Sequence, residues 1–539
     1  MTEARGTASI AETGASGGVT AALAEVWRTV LEVGEVDDDS NFFELGGHSM
    51  LAALLIAQCE KCLGTIIPLQ LIFDHPVFRD FVTAALRYDE RGPSLPKLVP
   101  QGLSRGPLSL QQQEYLRLEQ ALGLPVNNMV AVVKVGAPLA LETLQAALDD
   151  LVRRHPALRT VFRGEPAGSE QVVLPIADLA PLSCTETDLS GLDSRRRTAL
   201  LRSRVMRDHL LPFDLVTGPL VRCRIFRNGD EPDVLVLHLH HAAADGNCVG
   251  FLLDDLAAAC AGRPLGSPRP DEPSHLDYCR WQRDHHEQMI DESGDHWRGV
   301  VRDLAENLAE PAMSGSALSA SYVRFSVQLP ITETHRLRTW AAAEGLTEFS
   351  SVAAAAAVAV GRLHRRERAG IGIMLDNRHA DMEHTVGSFA LSSLMSVDVS
   401  GAPTPRDIIG RTQDSRLAAR RWTHLPLESL LAEPTDELGV TPADLVDVVV
   451  DFERIYRMNR PGRLPLNVDI DLSELLRVPL LGPRRTLTAL VQADGRMSLT
   501  IECVDDPRER EDAGALLDAT RDVLTRFANA PEEPIRPGA

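Results

Sequence analysis

Val234-Leu-Val-Leu-His-Leu-His-His-Ala-Ala-Ala-Asp-Gly246 is an apolar run that ends in two adjacent histidines, followed after three alanines by a carboxylate and a glycine. Residues 234–239 are apolar apart from His238 and read as a buried strand. Side chains on a strand alternate between faces. If the strand runs through residues 234–241, His240 shares a face with His238, and His241 shares one with Leu237 and Leu239. The two adjacent histidines then point opposite ways and cannot do the same job. Asp245 and Gly246 fall in the turn that follows. A buried aspartate there needs a cationic or hydrogen-bonding partner, and a glycine lets a backbone N–H approach a ligand closely. The residues leave three readings open. One is a pair of satisfied core histidines. Another is a metal site built from His238, His240 and Asp245, against which the opposite faces and the lack of a further ligand motif both count. The third is acyl transfer, in which a histidine steers the proton of an attacking amine or hydroxyl.

Working outward, residues 252–261 read as a helix. Upstream, Leu144, Ala147, Leu148 and Leu151 mark the apolar face of another. That helix leads into Arg154-His-Pro-Ala-Leu-Arg-Thr-Val-Phe162, which turns into a strand. Residues 351–363, SVAAAAAVAVGRL, form a small-residue helix suited to close packing. Strands and helices without strict alternation predict an α+β fold. The chain has 539 residues, too many for one ordinary core. A net charge of −21 argues against a nucleic-acid or anionic-membrane partner. No apolar run approaches the roughly 20 residues that span a bilayer, and residues 1–18 hold no apolar signal core. The expectation is a cytoplasmic protein whose eight cysteines are reduced and mostly buried. Cys59-Glu-Lys-Cys62 reads as two small residues on a helix, with no second ligand pair for zinc.

Residues 1–17 read as a flexible tail. Leu23, Val26, Trp27, Val30 and Leu31 then recur at helical spacing. Ser49 stands where the turn Gly46-Gly47-His48 meets a helix carrying Leu51, Leu54, Leu55 and Ile56. The plain reading is an N-cap. A helix start also favours a phosphate. Residues 91–107, with four prolines and three glycines, read as a linker or irregular connection. The long stretch beyond it is expected to form two lobes.

Phe42-Phe-Glu-Leu-Gly-Gly-His-Ser-Met-Leu-Ala52 resembles the core motif of the peptidyl carrier domains of nonribosomal peptide synthetases. The resemblance covers about residues 18–90, with Ile72-Phe-Asp-His-Pro76 opening a last helix. It implies an all-α four-helix carrier whose Ser49 bears 4′-phosphopantetheine, attached by a phosphopantetheinyl transferase. His-His-Ala-Ala-Ala-Asp-Gly is similar to the signature of the condensation-domain superfamily. Other motifs follow the family's order: Leu108-Ser-Leu-Gln-Gln112, residues 154–162, Asp277-Tyr-Cys-Arg-Trp-Gln282, Val386-Gly-Ser-Phe389 and His424-Leu-Pro-Leu-Glu428. This resemblance implies a chloramphenicol-acetyltransferase-like α+β fold of two lobes around a tunnel, residues 108–270 and 271–530, with 531–539 as a tail. By the same resemblance His241 is catalytic and orients or deprotonates the acceptor. Gly246 lines the tunnel near the reacting carbonyl, and His240 and Asp245 are structural. Asp245 pairs with Arg378 of Asp376-Asn-Arg378.

A carrier upstream of a condensation domain implies a donor. The implied activity is an acyltransferase that passes an acyl or peptidyl thioester from Ser49 to an acceptor amine, forming an amide, as in antibiotic or siderophore biosynthesis. Loading would come from an adenylation domain or another enzyme in trans, and the acceptor would be a second carrier domain or a free amine. The alternatives are an epimerization domain, an ester-forming condensation domain and a non-catalytic recruitment domain. Asn247-Cys-Val-Gly-Phe-Leu-Leu253 looks like the condensation continuation and counts against epimerization. The chain departs from the family pattern at Gln111, Glu114, Asn247, His275 and 390–392.

Overall fold

The computed structural model describes residues 9–535 except 32, 43, 46–48, 64–66, 68–70, 73–74, 90–94, 165–169, 180–181, 183, 269–271, 307, 309–321, 380–381, 383, 455–456, 459–463, 465, 469–483 and 493–494. In the N-terminal region the helices Ser9–Leu31, Ser49–Leu63 and Phe78–Asp89 pack around Trp27. Its indole meets Phe42 and Phe78 edge-on at 5.8 and 5.2 Å, the arrangement that ring quadrupoles favour. Leu71 and Ile72 are helical and join the same core. Phe73 and Asp74, where the sequence opens a last helix, lie outside the described residues, and the helix that follows starts at Phe78. The tail expected over 1–17 is corrected over 9–17, which are helical; residues 1–8 lie outside the described residues. Once the face carrying Leu23 and Trp27 is buried, each added residue gains a hydrogen bond without a new nucleation cost.

Within the 91–107 connection, the described residues 95–107 are irregular but docked, not a free linker. Leu98 is buried, the Pro96 carbonyl accepts from Trp281 Nε1 at 2.7 Å, and Gln101 N–H donates to Asp277 Oδ1 at 3.0 Å. Arg105–Gly106 pairs with Val172 and Gln171. Glu60 of the Ser49–Leu63 helix meets Arg420 of helix Pro405–Trp422 at 3.2 Å, tying the N-terminal domain to the remainder.

Two six-stranded sheets follow. The first runs, in spatial order, Arg457–Met458, Leu466–Val468, Asn128–Val135, Val234–His240, Val221–Arg227 and Cys184–Asp188. The second runs Leu391–Asp398, Arg368–Leu375, Val448–Arg454, Arg485–Val491, Met497–Val504 and Tyr322–Leu329. The α+β reading holds. The division at 270/271 does not hold throughout, because Leu466, Asn467 and Val468 pair with Val135, Lys134 and Val133 of the first sheet. An unpaired Asn128–Val135 edge would leave backbone donors and acceptors open, and the later segment covers it. The expected tail at 531–539 is also corrected over 531–535, the part among the described residues. Ile535 is buried, and its N–H donates to the Pro403 carbonyl at 2.8 Å, so apolar burial and a backbone bond both hold this residue down.

The second lobe is built on helix Glu348–His364, whose residues 350–361 are all buried. Alanine at successive turns lets the strands approach it closely. Among the described residues no single helix is long and apolar enough to cross a membrane.

Candidate active site

Every residue of Val234–His240 is buried. Leu235, Leu237 and Leu239 face helices Leu141–Arg154 and Gly246–Cys260, packing on Leu148, Leu151, Leu252 and Leu256. Each such leucine is worth roughly 1.5–3 kcal/mol of burial. Val234 and Val236 face Leu201 and Val205 of helix Ser194–His209. His238 shares that second face, with Nε2 3.3 Å from the Val205 carbonyl and its ring 5.9 Å from that of His209.

The strand ends at His240, one residue earlier than the alternation reading assumed, and His241 opens the turn. The two histidines still have separate partners. His240 Nδ1 accepts the Ala242 N–H at 3.1 Å. The proton is therefore on Nε2, which donates to Glu119 Oε2 at 3.2 Å. His241 N–H donates to the Asn127 carbonyl at 2.8 Å. Its half-buried ring lies 5.0 Å from that of Tyr115, and its Nδ1 is buried without a hydrogen-bond partner. Burial pushes the His241 pKa down to about 4, so the ring is neutral at pH 7.

Asp245 is the N-cap of helix Gly246–Cys260, which starts six residues before the expected position, and it accepts the Cys248 N–H at 3.1 Å. The fully buried carboxylate is saturated from the second lobe. Arg378 NH2 donates to Oδ1 at 2.8 Å, and the Phe389 and Ala390 N–H groups donate to Oδ2 at 3.0 and 3.2 Å. Burial alone would raise this carboxyl's pKa, but the Arg378 charge and these donors hold it below the usual range. Arg378 also donates to Asp376 at 2.7 Å and lies 4.5 Å over the Phe389 ring. Arg378 is the arginine that the family resemblance implies for Asp245, and the fold brings the two together. Cys248, whose Sγ sits 3.3 Å from the Gly387 N–H, is pushed up to about 12 by burial and remains a thiol.

Two residues that depart from the family pattern converge on one carbonyl. Gln111 Nε2 and His275 Nε2 both donate to Ser388 O, at 2.8 and 3.1 Å. A Cβ at Gly387 would fall 2.4 Å from His275 Cδ2, and His275 cannot swing away without losing that bond and its edge-on contact with Phe389 at 4.9 Å. Gly387→Ala is expected to cost about 1–3 kcal/mol by overpacking, read as a lowered urea midpoint. An unchanged midpoint would mean that His275 moves freely.

Gly246 is exposed at the start of its helix, and a Cβ there would meet nothing within 4 Å. Packing therefore places no demand for glycine at this position. Asn247 is exposed beside it. His238, His240 and Asp245 have three different sets of partners, and among the described residues no group of three or more His, Cys, Asp or Glu could hold a metal ion. Ser49 is the first residue of helix Ser49–Leu63, whose first turn has no acidic side chain. That helix end suits an attached phosphate. Residues 46–48 and the Ser49 side chain lie outside the described set.

The sequence reading missed Tyr115 and Glu119. With Gln112, whose Nε2 donates to the Ala242 carbonyl at 2.8 Å, they lie along helix Leu110–Leu122 and contact the 240–242 turn. Their spacing of three and four residues was a visible signal of one helix face.

Comparison with known proteins identifies the family. The sequence profile described as "Condensation domain" matches residues 105–469, and that described as "Phosphopantetheine attachment site" matches residues 21–85. The chain is 28% identical over 539 residues to the "Dimodular nonribosomal peptide synthase" of Bacillus subtilis (strain 168), covering 95% of this chain and 22% of that protein. It is 29% identical over 438 residues to "Malpibaldin synthetase" of Mortierella alpina, covering 79% of this chain and only 8% of that relative. Among solved structures, the condensation domain of the Monacolin K polyketide synthase MokA aligns with a TM-score of 0.65 at 19% identity, over 80% of this chain and 99% of that one. The X-domain bound to OxyB from teicoplanin biosynthesis aligns at 0.63 and 20%, over 82% and 98%. A profile match over more than half of the chain, on a fold shared with these structures, shows that the protein belongs to the condensation domain family, with a phosphopantetheine attachment domain ahead of it.

Proposed function

We propose that the chain forms an amide bond by transferring an acyl or peptidyl group from the carrier at Ser49 to an acceptor amine, as one step of nonribosomal peptide synthesis. The observation that carries this reading is His241, a half-buried imidazole that its surroundings keep neutral, in a turn held from both lobes. Phosphopantetheine attached at Ser49 supplies a thiol that presents the acyl group as a thioester. The chain's own part is to hold the amine beside that carbonyl. His241 accepts a hydrogen bond from the amine N–H and keeps its lone pair aimed at the carbon. The C–N bond forms as the C–S bond breaks, and the proton lost by nitrogen goes to the leaving thiolate, giving the free thiol. Orientation of this kind supplies much of the rate without a strong base. The partners of the reading are a phosphopantetheinyl transferase, a loading enzyme acting in trans and an acceptor amine, free or on a second carrier.

The test is to load Ser49 with acyl-phosphopantetheine, add amines, and follow intact mass. Ser49→Ala should gain no mass at the loading step. Loaded chain that yields no amide with any amine would sink the proposal. Loss of stereochemical purity without acceptor would point to epimerization.

A pH profile follows. Because burial holds His241 at about 4, below its ordinary 6.5, the ring stays neutral as pH falls from 8 to about 5. With a weakly basic aryl amine, itself unprotonated over that range, the transfer rate is expected to be flat. A decline centred near 6.5 would place an ordinary, solvated imidazole in the step.

A further inference from the structure

We infer that Glu119 is a positioning residue for His241, acting through His240 and Asn127. This inference rests on the amide-forming reading above.

Glu119 lies in the last turn of helix Leu110–Leu122, just before Gly123 turns the chain in the left-handed conformation at φ 65°. The carbonyl of Glu119 accepts the Gly123 N–H at 2.8 Å. Its side chain turns to the histidine motif and accepts from two donors on separate oxygens. Oε2 takes His240 Nε2–H at 3.2 Å, and Oε1 takes the Asn127 N–H at 3.0 Å. The Asn127 carbonyl in turn accepts the His241 N–H at 2.8 Å, and the Asn127 side chain donates back to the Tyr115 carbonyl at 2.9 Å. One carboxylate thus holds the buried neighbour of His241 on one side and the backbone that pins His241 on the other.

The chemistry calls for a carboxylate. His240 Nδ1 is already an acceptor for the Ala242 N–H, so Nε2 must carry a proton and needs an acceptor. Asn127 N–H needs a second one. A carboxylate offers acceptors on both oxygens, whereas a carboxamide turns an N–H₂ toward one of the two donors. Burial would raise the Glu119 pKa, but the bonds from His240 and Asn127 outweigh it and hold the group below the usual carboxylate value. Gln112 and Tyr115 complete the grip, on the Ala242 carbonyl and on the His241 ring. Without Glu119, the buried Nε2–H of His240 has no acceptor, the ring must turn, and the following residue turns with it.

The experiment compares Glu119→Gln, His241→Ala and the double variant, measuring amide formation by the intact, Ser49-loaded chain at saturating amine. Glu119→Gln is expected to lower the maximal rate roughly 10- to 100-fold, as expected of a misplaced catalytic group, with the KM for amine little changed. In the His241→Ala background the same substitution should change the rate by no more than about twofold, because residues that act as a unit are non-additive. A purely structural Glu119 would cost the same factor in both backgrounds, and that result overturns the inference. So would a Glu119→Gln chain that runs at the parent rate. If His241→Ala itself keeps full rate, the reaction reading fails first. Should Glu119→Gln not fold, Glu119→Asp, which keeps both acceptors on a stem one methylene shorter, supplies the same comparison.

Discussion

Arg378→Ala is expected to lower unfolding stability by about 3–5 kcal/mol. The size follows from what is left behind. Asp245 is fully buried and Arg378 is its only cationic partner among the described contacts, at 2.8 Å. Removing the guanidinium strands a carboxylate with three backbone N–H donors and no countercharge. It also strips the Phe389 ring of the cation above it. Urea unfolding at pH 7 measures the loss. The sign with pH is set by the depressed Asp245 pKa. The pair's contribution is present above the unfolded carboxyl value, about 3.9, and is lost as pH falls through the lower folded value. The gap between parent and variant should therefore narrow below about pH 4. A loss under about 1 kcal/mol would class the pair with solvent-exposed bridges.

His241→Ala is expected to slow amide formation about 10²-fold at saturating amine, the low end for removal of an acid–base group. The low end applies because burial holds the ring at about 4, which makes it a weak base and a better hydrogen-bond acceptor than proton sink. Binding and orientation of the two substrates remain, so the variant should retain activity above the uncatalysed rate. Single-turnover mass analysis of the loaded chain measures it. A loss of less than about threefold would assign the rate to proximity alone, and a loss beyond about 10⁴-fold would require full proton abstraction by this ring.

The histidine strand was legible because its signal is local. Seven consecutive buried residues leave a nearly unbroken apolar run. Helix Glu348–His364 was legible for the same reason, through its alanines. The register at the strand's end was not. Whether the last residue is His240 or His241 depends on the partner strand, where Asn128 is paired with His240. The helix after the motif also starts earlier than its apolar spacing indicated, because Asp245 caps it. A cap that doubles as an ion-pair partner looks, in sequence, like a turn residue.

The sequence by itself determined the order of the carrier and condensation regions and the place of Ser49 ahead of a helix, since each depends on neighbours within a few residues. Tertiary structure alone decided the partners. Glu119 meets His240 across 121 residues, whereas the Arg378–Asp245 pair, 133 residues apart, was reachable beforehand only through the family resemblance. The strand Leu466–Val468 crosses to the first sheet. Buried donors, buried charges and open strand edges take whatever complementary group the fold brings within reach, and no local pattern along the chain encodes which group that is.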